Sequence, residues 1–127
     1  MSLKNITVQG CTLKFQNGGG PDSAITITGT TSTKVKADGN AVYKELKFSI
    51  SGYNGQAITN SDGTGQGSIK ATAEHVKVEG NAVILEGDVS AQITISGSTT
   101  TQSGKQDVTA IEVVKVTDAG QSKAKGA

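Results

Sequence analysis

The stretch Val35–Glu45 reads VKADGNAVYKE, and Val76–Glu86 repeats it as VKVEGNAVILE. Seven of the eleven positions are identical, and an eighth exchanges Asp38 for Glu79. Each copy centres on a turn, Asp38-Gly39-Asn40 in the first and Glu79-Gly80-Asn81 in the second. Gly and Asn adopt positive φ at little cost, so the chain can reverse tightly there. Val35 and Ala37 precede the first turn, and Val76 and Val78 the second. Ala41-Val42-Tyr43 and Ala82-Val83-Ile84-Leu85 follow them. Apolar runs on both sides of a Gly-Asn turn predict a β-hairpin, so the same hairpin is written twice, about 41 residues apart.

Short strands extend from these hairpins. Ile6 and Val8 alternate with polar residues, as do Leu13 and Phe15, with Gly10-Cys11 between them as a bulge or turn. Ala24–Thr28, Leu46–Ile50 and Val89–Ser96 alternate in the same way, and Asp107–Thr117 is dense in β-branched residues. One face of each strand is apolar and the other carries Thr, Ser or Lys, so a single buried face is expected. No stretch holds a 3.6-residue period. The fold class is all-β, built from repeated β-hairpins with little or no helix. Residues 1–117 read as a single β domain containing the repeat (35–45 and 76–86), and 118–127 as a flexible polar tail. Two nearly equal repeats in so short a chain also predict an apolar base left for a partner.

Composition narrows the function. Apolar residues make up 34% of the 127, with no Trp, 17 Gly and a net charge of +1. Regular β-branched runs and low net charge argue for an ordered domain with a thin core rather than a disordered chain. No basic face or aromatic stacking set points to nucleic acid, and no apolar run is long enough to span a bilayer. MSLKNITVQG has no apolar signal-peptide core and reads as a first strand, so synthesis in the cytoplasm without signal-peptide export is expected. The lone Cys11 forms no internal disulfide, which suits a reducing compartment.

Chemistry-bearing residues are sparse. Cys11 and His75 are the candidate metal ligands, with zinc the ion such a pair would take. The competing readings are a small buried Cys and a half-exposed His beside Glu74. Glu45 and Glu86, equivalent in the two repeats, read as solvated strand-end charges rather than a paired-carboxylate site. Asn17–Asp22 is a Gly-rich loop with no Gly-Lys-Ser/Thr after it, so phosphate binding lacks its physical basis. Tyr53–Ser68 reads as a long polar connector. Its Asn60-Ser61-Asp62-Gly63 turn lacks the further oxygen ligands of a calcium loop. Asn5-Ile6-Thr7 matches the glycosylation sequon by chance. No set of nucleophile, base and orienting group stands out, and no enzyme activity is expected.

With the repeats in hand, the chain resembles the PAAR-like spike-tip proteins of contractile injection systems and phage tails. The second copy carries the likeness best, as Val76-Lys77-Val78-Glu79-Gly80-Asn81-Ala82-Val83 followed by Glu86-Gly87-Asp88. The likeness covers roughly residues 8 to 97. It implies a compact, pointed β cap seated on a trimeric spike protein (VgrG-like), loaded with an extracellular particle or virion. Contact with the target membrane would be transient, and no nucleic acid or small-molecule substrate is implied. Many such tips hold a metal through several His and a Cys, and this chain departs from them in having only His75 and Cys11. The alternative is a small adhesin-like or carbohydrate-binding β-sandwich module. Its difficulty is that only Tyr43 and Tyr53 could serve as sugar platforms.

Overall fold

A computed structural model describes residues 3–16 and 21–127, with no side-chain description for Asp22. It is all-β apart from one 3-10 turn at Asp22–Ala24. The strands are β1 (Lys4–Asn5), β2 (Thr12–Phe15), β3 (Ile25–Ala37), β4 (Asn40–Gly55), β5 (Ile58–Ser68) and β6 (Lys77–Val78). They continue as β7 (Asn81–Ala82), β8 (Ile93–Thr101), β9 (Gly104–Glu112), β10 (Val114–Asp118) and β11 (Lys125–Gly126). Five of them form one antiparallel sheet in the order β3-β4-β5-β8-β9, and β2/β10, β1/β11 and β6/β7 are two-stranded. Of the Gly-rich loop Asn17–Asp22, residues 17–20 lie outside the described residues.

The alternation in β4 does what its pattern predicts. Leu46, Phe48 and Ile50 are buried while Lys47 and Ser49 are exposed. Each such buried side chain contributes roughly 1.5–3 kcal/mol of transfer free energy. Over this inner face lies the β2/β10 pair, supplying Leu13, Phe15, Val114 and Val116 to the larger of two apolar clusters. Phe15 meets Tyr53 edge to face, with ring centroids 5.2 Å apart.

Strand β5 departs from the sequence reading. Tyr53–Ser68 was expected as a polar connector, yet 58–68 is a full strand between β4 and β8. Its inward positions are held by Gly63, Gly65 and Gly67, paired with Tyr53, Ile50 and Phe48. A Cβ on Gly63 would lie 2.7 Å from Tyr53 Cβ, and one on Gly67 would lie 2.9 Å from both Phe48 Cζ and Ile93 Cγ2. Neighbouring aromatic and Ile side chains therefore fill the space above these glycines. The period of two is intact, written in Gly instead of an apolar residue.

The two hairpin copies reverse identically. Ala37 pairs with Asn40 and Val78 with Asn81, so the central residues are Asp38-Gly39 and Glu79-Gly80. Their φ values are 52° and 82° in the first copy and 50° and 85° in the second, the left-handed pair of a type I′ turn. Asn40 and Asn81 are therefore the first strand residues after the turn, not turn centres. Each turns its side-chain amide back to the carbonyl of Asp38 or Glu79, at 3.5 and 3.2 Å.

The copies then close on each other. Ala37 and Val42 of the first share the smaller apolar cluster with their equivalents Val78 and Val83 of the second. Between them runs the N-terminal segment. Thr7 donates its amide to Ile84 O at 2.8 Å and accepts from Tyr43 N at 3.3 Å, joining equivalent positions of the two copies. Gln9 N bonds Ala41 O, and Glu86 N bonds Asn5 O. Thr7, the third residue of the sequon, is fully buried, while Asn5 is half-buried.

Residues 118–127, expected as a flexible tail, are docked. Ile6 N bonds Ala124 O and Val8 N bonds Ala119 O, while β11 pairs with β1. Buried Gln121 explains why so polar a segment packs. Its amide nitrogen donates to Ile6 O and Ala124 O, and its oxygen accepts from Lys123 N and Ala124 N. A side chain with every polar group paired can be buried without the desolvation penalty.

The expected apolar base is likewise missing among the described residues. The only exposed large apolar side chains there are Leu3, Val35 and Ile111, on three separate segments. The chain closes its own core.

Candidate functional site

Cys11 and His75, the two candidate metal ligands, stand in different settings. Cys11 is 7% exposed within the larger apolar cluster, and burial pushes its thiol up to about 11. A metal would have to displace that proton from an apolar enclosure, where the thiolate is poorly solvated. His75 is exposed, its amide donating to Ala127 O at 3.0 Å. Among the described residues, no group of three or more His, Cys, Asp and Glu is placed to hold a metal ion. Glu45 is exposed, whereas Glu86 is half-buried and accepts from Ala119 N at 3.1 Å, so these equivalent carboxylates serve different ends.

The densest polar constellation joins β5 to β8. Asp62 Oδ1 accepts from Ser98 N at 2.9 Å, Asp62 Oδ2 accepts the Ser98 hydroxyl, and Lys105 Nζ lies 3.7 Å from the same oxygen. Asn60 donates to Ser98 Oγ at 2.9 Å and accepts from Thr100 Oγ1 at 3.1 Å, and Thr59 and Thr99 share a hydrogen bond of 2.6 Å. The Ser98 hydroxyl bond holds the Asp62 carboxyl below its usual range, with Lys105 adding to the effect. The β5–β8 ladder has its register pair at Thr64 and Ser96, so these side chains supply cross-strand bonding beyond it. Asn60-Ser61-Asp62-Gly63, expected as a turn, is thus strand, with Ser61 at φ 54° marking a local irregularity.

A second polar pair lies inside. Tyr53 OH donates to Glu112 Oε2, and Glu112 is 1% exposed. Burial, then the Glu112 contact, pushes the Tyr53 phenol up. Glu112 Oε1 has no hydrogen-bond partner among the described residues, a cost of about 1–3 kcal/mol that the surrounding core must offset. Sequence reasoning missed both constellations, because Asp62 sits in a stretch read as connector and Glu112 inside the β-branched segment Asp107–Thr117, where nothing marks its side chain as buried. The Gly63/Gly65/Gly67 alternation is the signal that would have placed Asp62 on a strand.

Two hollows mark the polar face of the five-stranded sheet. One of about 550 Å³ is lined by Asp62, Ser96, Ser98, Lys105, Asp107 and Thr109. The other, also about 550 Å³, is lined by Thr28, Lys47, Ser49, Gln66 and Ser68 with part of Phe48 and Gly67. The first offers hydroxyls, two carboxylates and one ammonium, and the second hydroxyls, one amide and one ammonium beside the Phe48 ring. No protein family, curated protein or solved structure matches this chain.

Proposed function

We propose that this chain is a structural spike-tip protein of the PAAR-like kind. It would cap the central spike of a contractile injection system, phage tail or tailocin and assist penetration of the target envelope. One observation carries the reading: the two hairpin copies close on each other through Ala37, Val42, Val78 and Val83, with residues 5–9 bonded to both. A tip under compressive load needs its segments tied to one another by paired backbone groups. Here the N-terminal segment, both hairpins and the C-terminal segment share one hydrogen-bonded network. The partner would be a trimeric spike protein, and since the described residues offer no apolar base, the seat would be polar. The test is to mix the purified chain with a trimeric spike protein encoded in the same gene cluster and measure the mass of the complex by light scattering. One chain per trimer supports the role; no complex overturns it.

The Thr28–Lys47–Ser49–Gln66–Ser68 hollow favours a second reading, a carbohydrate-binding or adhesin-like module. Tyr43 and Tyr53 are both buried, at 8% and 0% exposure, so neither provides the aromatic platform of a sugar site. A glycan-array signal abolished in Lys47→Ala and Gln66→Ala would establish this reading; a blank array would remove it.

A further inference from the structure

The five-stranded sheet has two edges, and they are built differently. Strand β3 is irregular: its register shifts between Thr30 and Thr31 and again before Lys36. Ser32 Oγ takes the amides of Lys34 and Val35 at 3.1 and 3.0 Å. Bulges and edge lysines of this kind prevent another strand from adding. Strand β9 has no such bulge, and its one lysine, Lys105, is followed two residues on by Asp107. Its nine pairs with β8 run without a register shift, from Ile93 with Glu112 to Thr101 with Gly104.

The β9 edge is closed at one end only. The Gln56 side-chain amide donates to Ile111 O at 2.8 Å and accepts from Ile111 N at 3.2 Å. Both main-chain groups of Ile111 therefore point away from β8. In an antiparallel ladder this orientation recurs every second residue, so those of Thr109, Asp107 and Lys105 point outward too. They have no partner among the described residues, and 103–107 and 109 are exposed.

We infer that the β9 edge pairs with the β9 edge of a second copy of this chain, antiparallel about a two-fold axis at Gln106. In this register Lys105 of each copy faces Asp107 of the other, giving two main-chain-bonded pairs of opposite charge. The Lys105 side chain is 67% exposed, its 3.7 Å contact with Asp62 is long enough to give way to a carboxylate across the edge, and Asp107 has no ion pair among the described residues. The neighbouring register, centred on Asp107, would oppose two carboxylates and is disfavoured. The Gln56 plug at Ile111 ends the pairing, so the product is a closed dimer rather than a growing sheet. This pairing is independent of the tip role.

The test uses the full chain in sedimentation equilibrium up to about 1 mM, the weak end of measurable association. The wild type is expected to dimerise with rising concentration. Asp107→Lys and Lys105→Glu should each weaken the dimer about tenfold by placing like charges opposite each other. Mixing the two variants should restore a mixed dimer, a result that mere loss of stability cannot produce. Gln106→Cys should crosslink across the axis under mild oxidation, since non-hydrogen-bonded antiparallel pairs bring Cα atoms to about 4.5 Å. A wild type that stays monomeric overturns the inference. So does a dimer that is unaffected by either charge change and uncrosslinked by Cys at 106, since its copies would then meet elsewhere.

Discussion

The turn of Val35–Glu45 joins strands of 13 and 16 residues, whereas the turn of the near-identical Val76–Glu86 joins strands of two residues each. The turns are the same to within a few degrees of φ, and the equivalent apolar residues fill the same cluster. What differs is the chain on either side. The first copy is preceded by the alternating Ile25–Thr28 and followed by Leu46, Phe48 and Ile50, so the ladder extends in both directions. The second is followed by Gly87-Asp88, and Asp88 folds the chain back. Its carboxylate accepts from Leu85 N at 2.8 Å, Thr72 N at 3.3 Å and the Thr72 hydroxyl, while its carbonyl accepts from Val116 N. The residue equivalent to Asp88 in the first copy is Lys47, exposed on the sheet's polar face. A turn motif thus sets how the chain reverses, and its flanks set how far the strands run.

The contrast can be broken at that position. Asp88→Ala should cost about 3 kcal/mol, because a buried acceptor of three bonds is lost and its donors are stranded. Lys47→Ala should change stability by less than about 0.5 kcal/mol. Urea unfolding midpoints at constant slope would show the difference, and equal losses would refute the role given to Asp88.

The shared cluster offers a smaller test. Val42→Ala and Val83→Ala should each cost about 2 kcal/mol, with a non-additivity of about 0.5 kcal/mol or more in the double variant, since both belong to one packed cluster. Strict additivity would mean that the copies pack independently.

The turns themselves should respond alike. Gly39→Ala and Gly80→Ala meet no steric neighbour, so each should lose only the left-handed backbone preference, about 1 kcal/mol. Unequal losses would show that one turn is held by its surroundings.

The smallest effect concerns Glu79, whose carboxyl is held below its usual range by the Ser32 hydroxyl and then by Lys44 and Lys34. Lys44 Nζ lies 3.8 Å from Glu79 Oε2, joining the first copy to the second. A carboxylate with a depressed folded pKa stabilises the fold above its unfolded value, near pH 4.3, and loses that contribution as pH falls through the folded value. Glu79→Gln should therefore flatten the acid limb of thermal stability below about pH 4. An unchanged acid limb would mean the link contributes nothing.

The all-β class, both turns and the buried face of β4 were legible in the sequence, because each rests on local backbone preference and a period of two. The strand character of 58–68 was hidden, since glycine records a neighbour's bulk and not its own burial. Asp62 was accordingly read within a turn, while the structure sets it in a strand beside Ser98. The tail 118–127 looked polar and free because the segment it docks on, reached by Gln121 at Ile6 O, lies more than a hundred residues away in the chain. Cys11 and His75 were conspicuous only for their rarity, and the structure sets one in an apolar cluster and the other in solvent.

By itself the sequence determined where this chain reverses and which side chains must leave water, since φ preference and apolar periodicity are local properties. Tertiary structure alone decided that the two copies face each other across residues 5–9, that a glycine stripe completes the sheet, and that one edge is plugged at Ile111 but open at Lys105–Thr109. Those outcomes depend on which main-chain groups are already paired when distant segments meet, and no local preference encodes that.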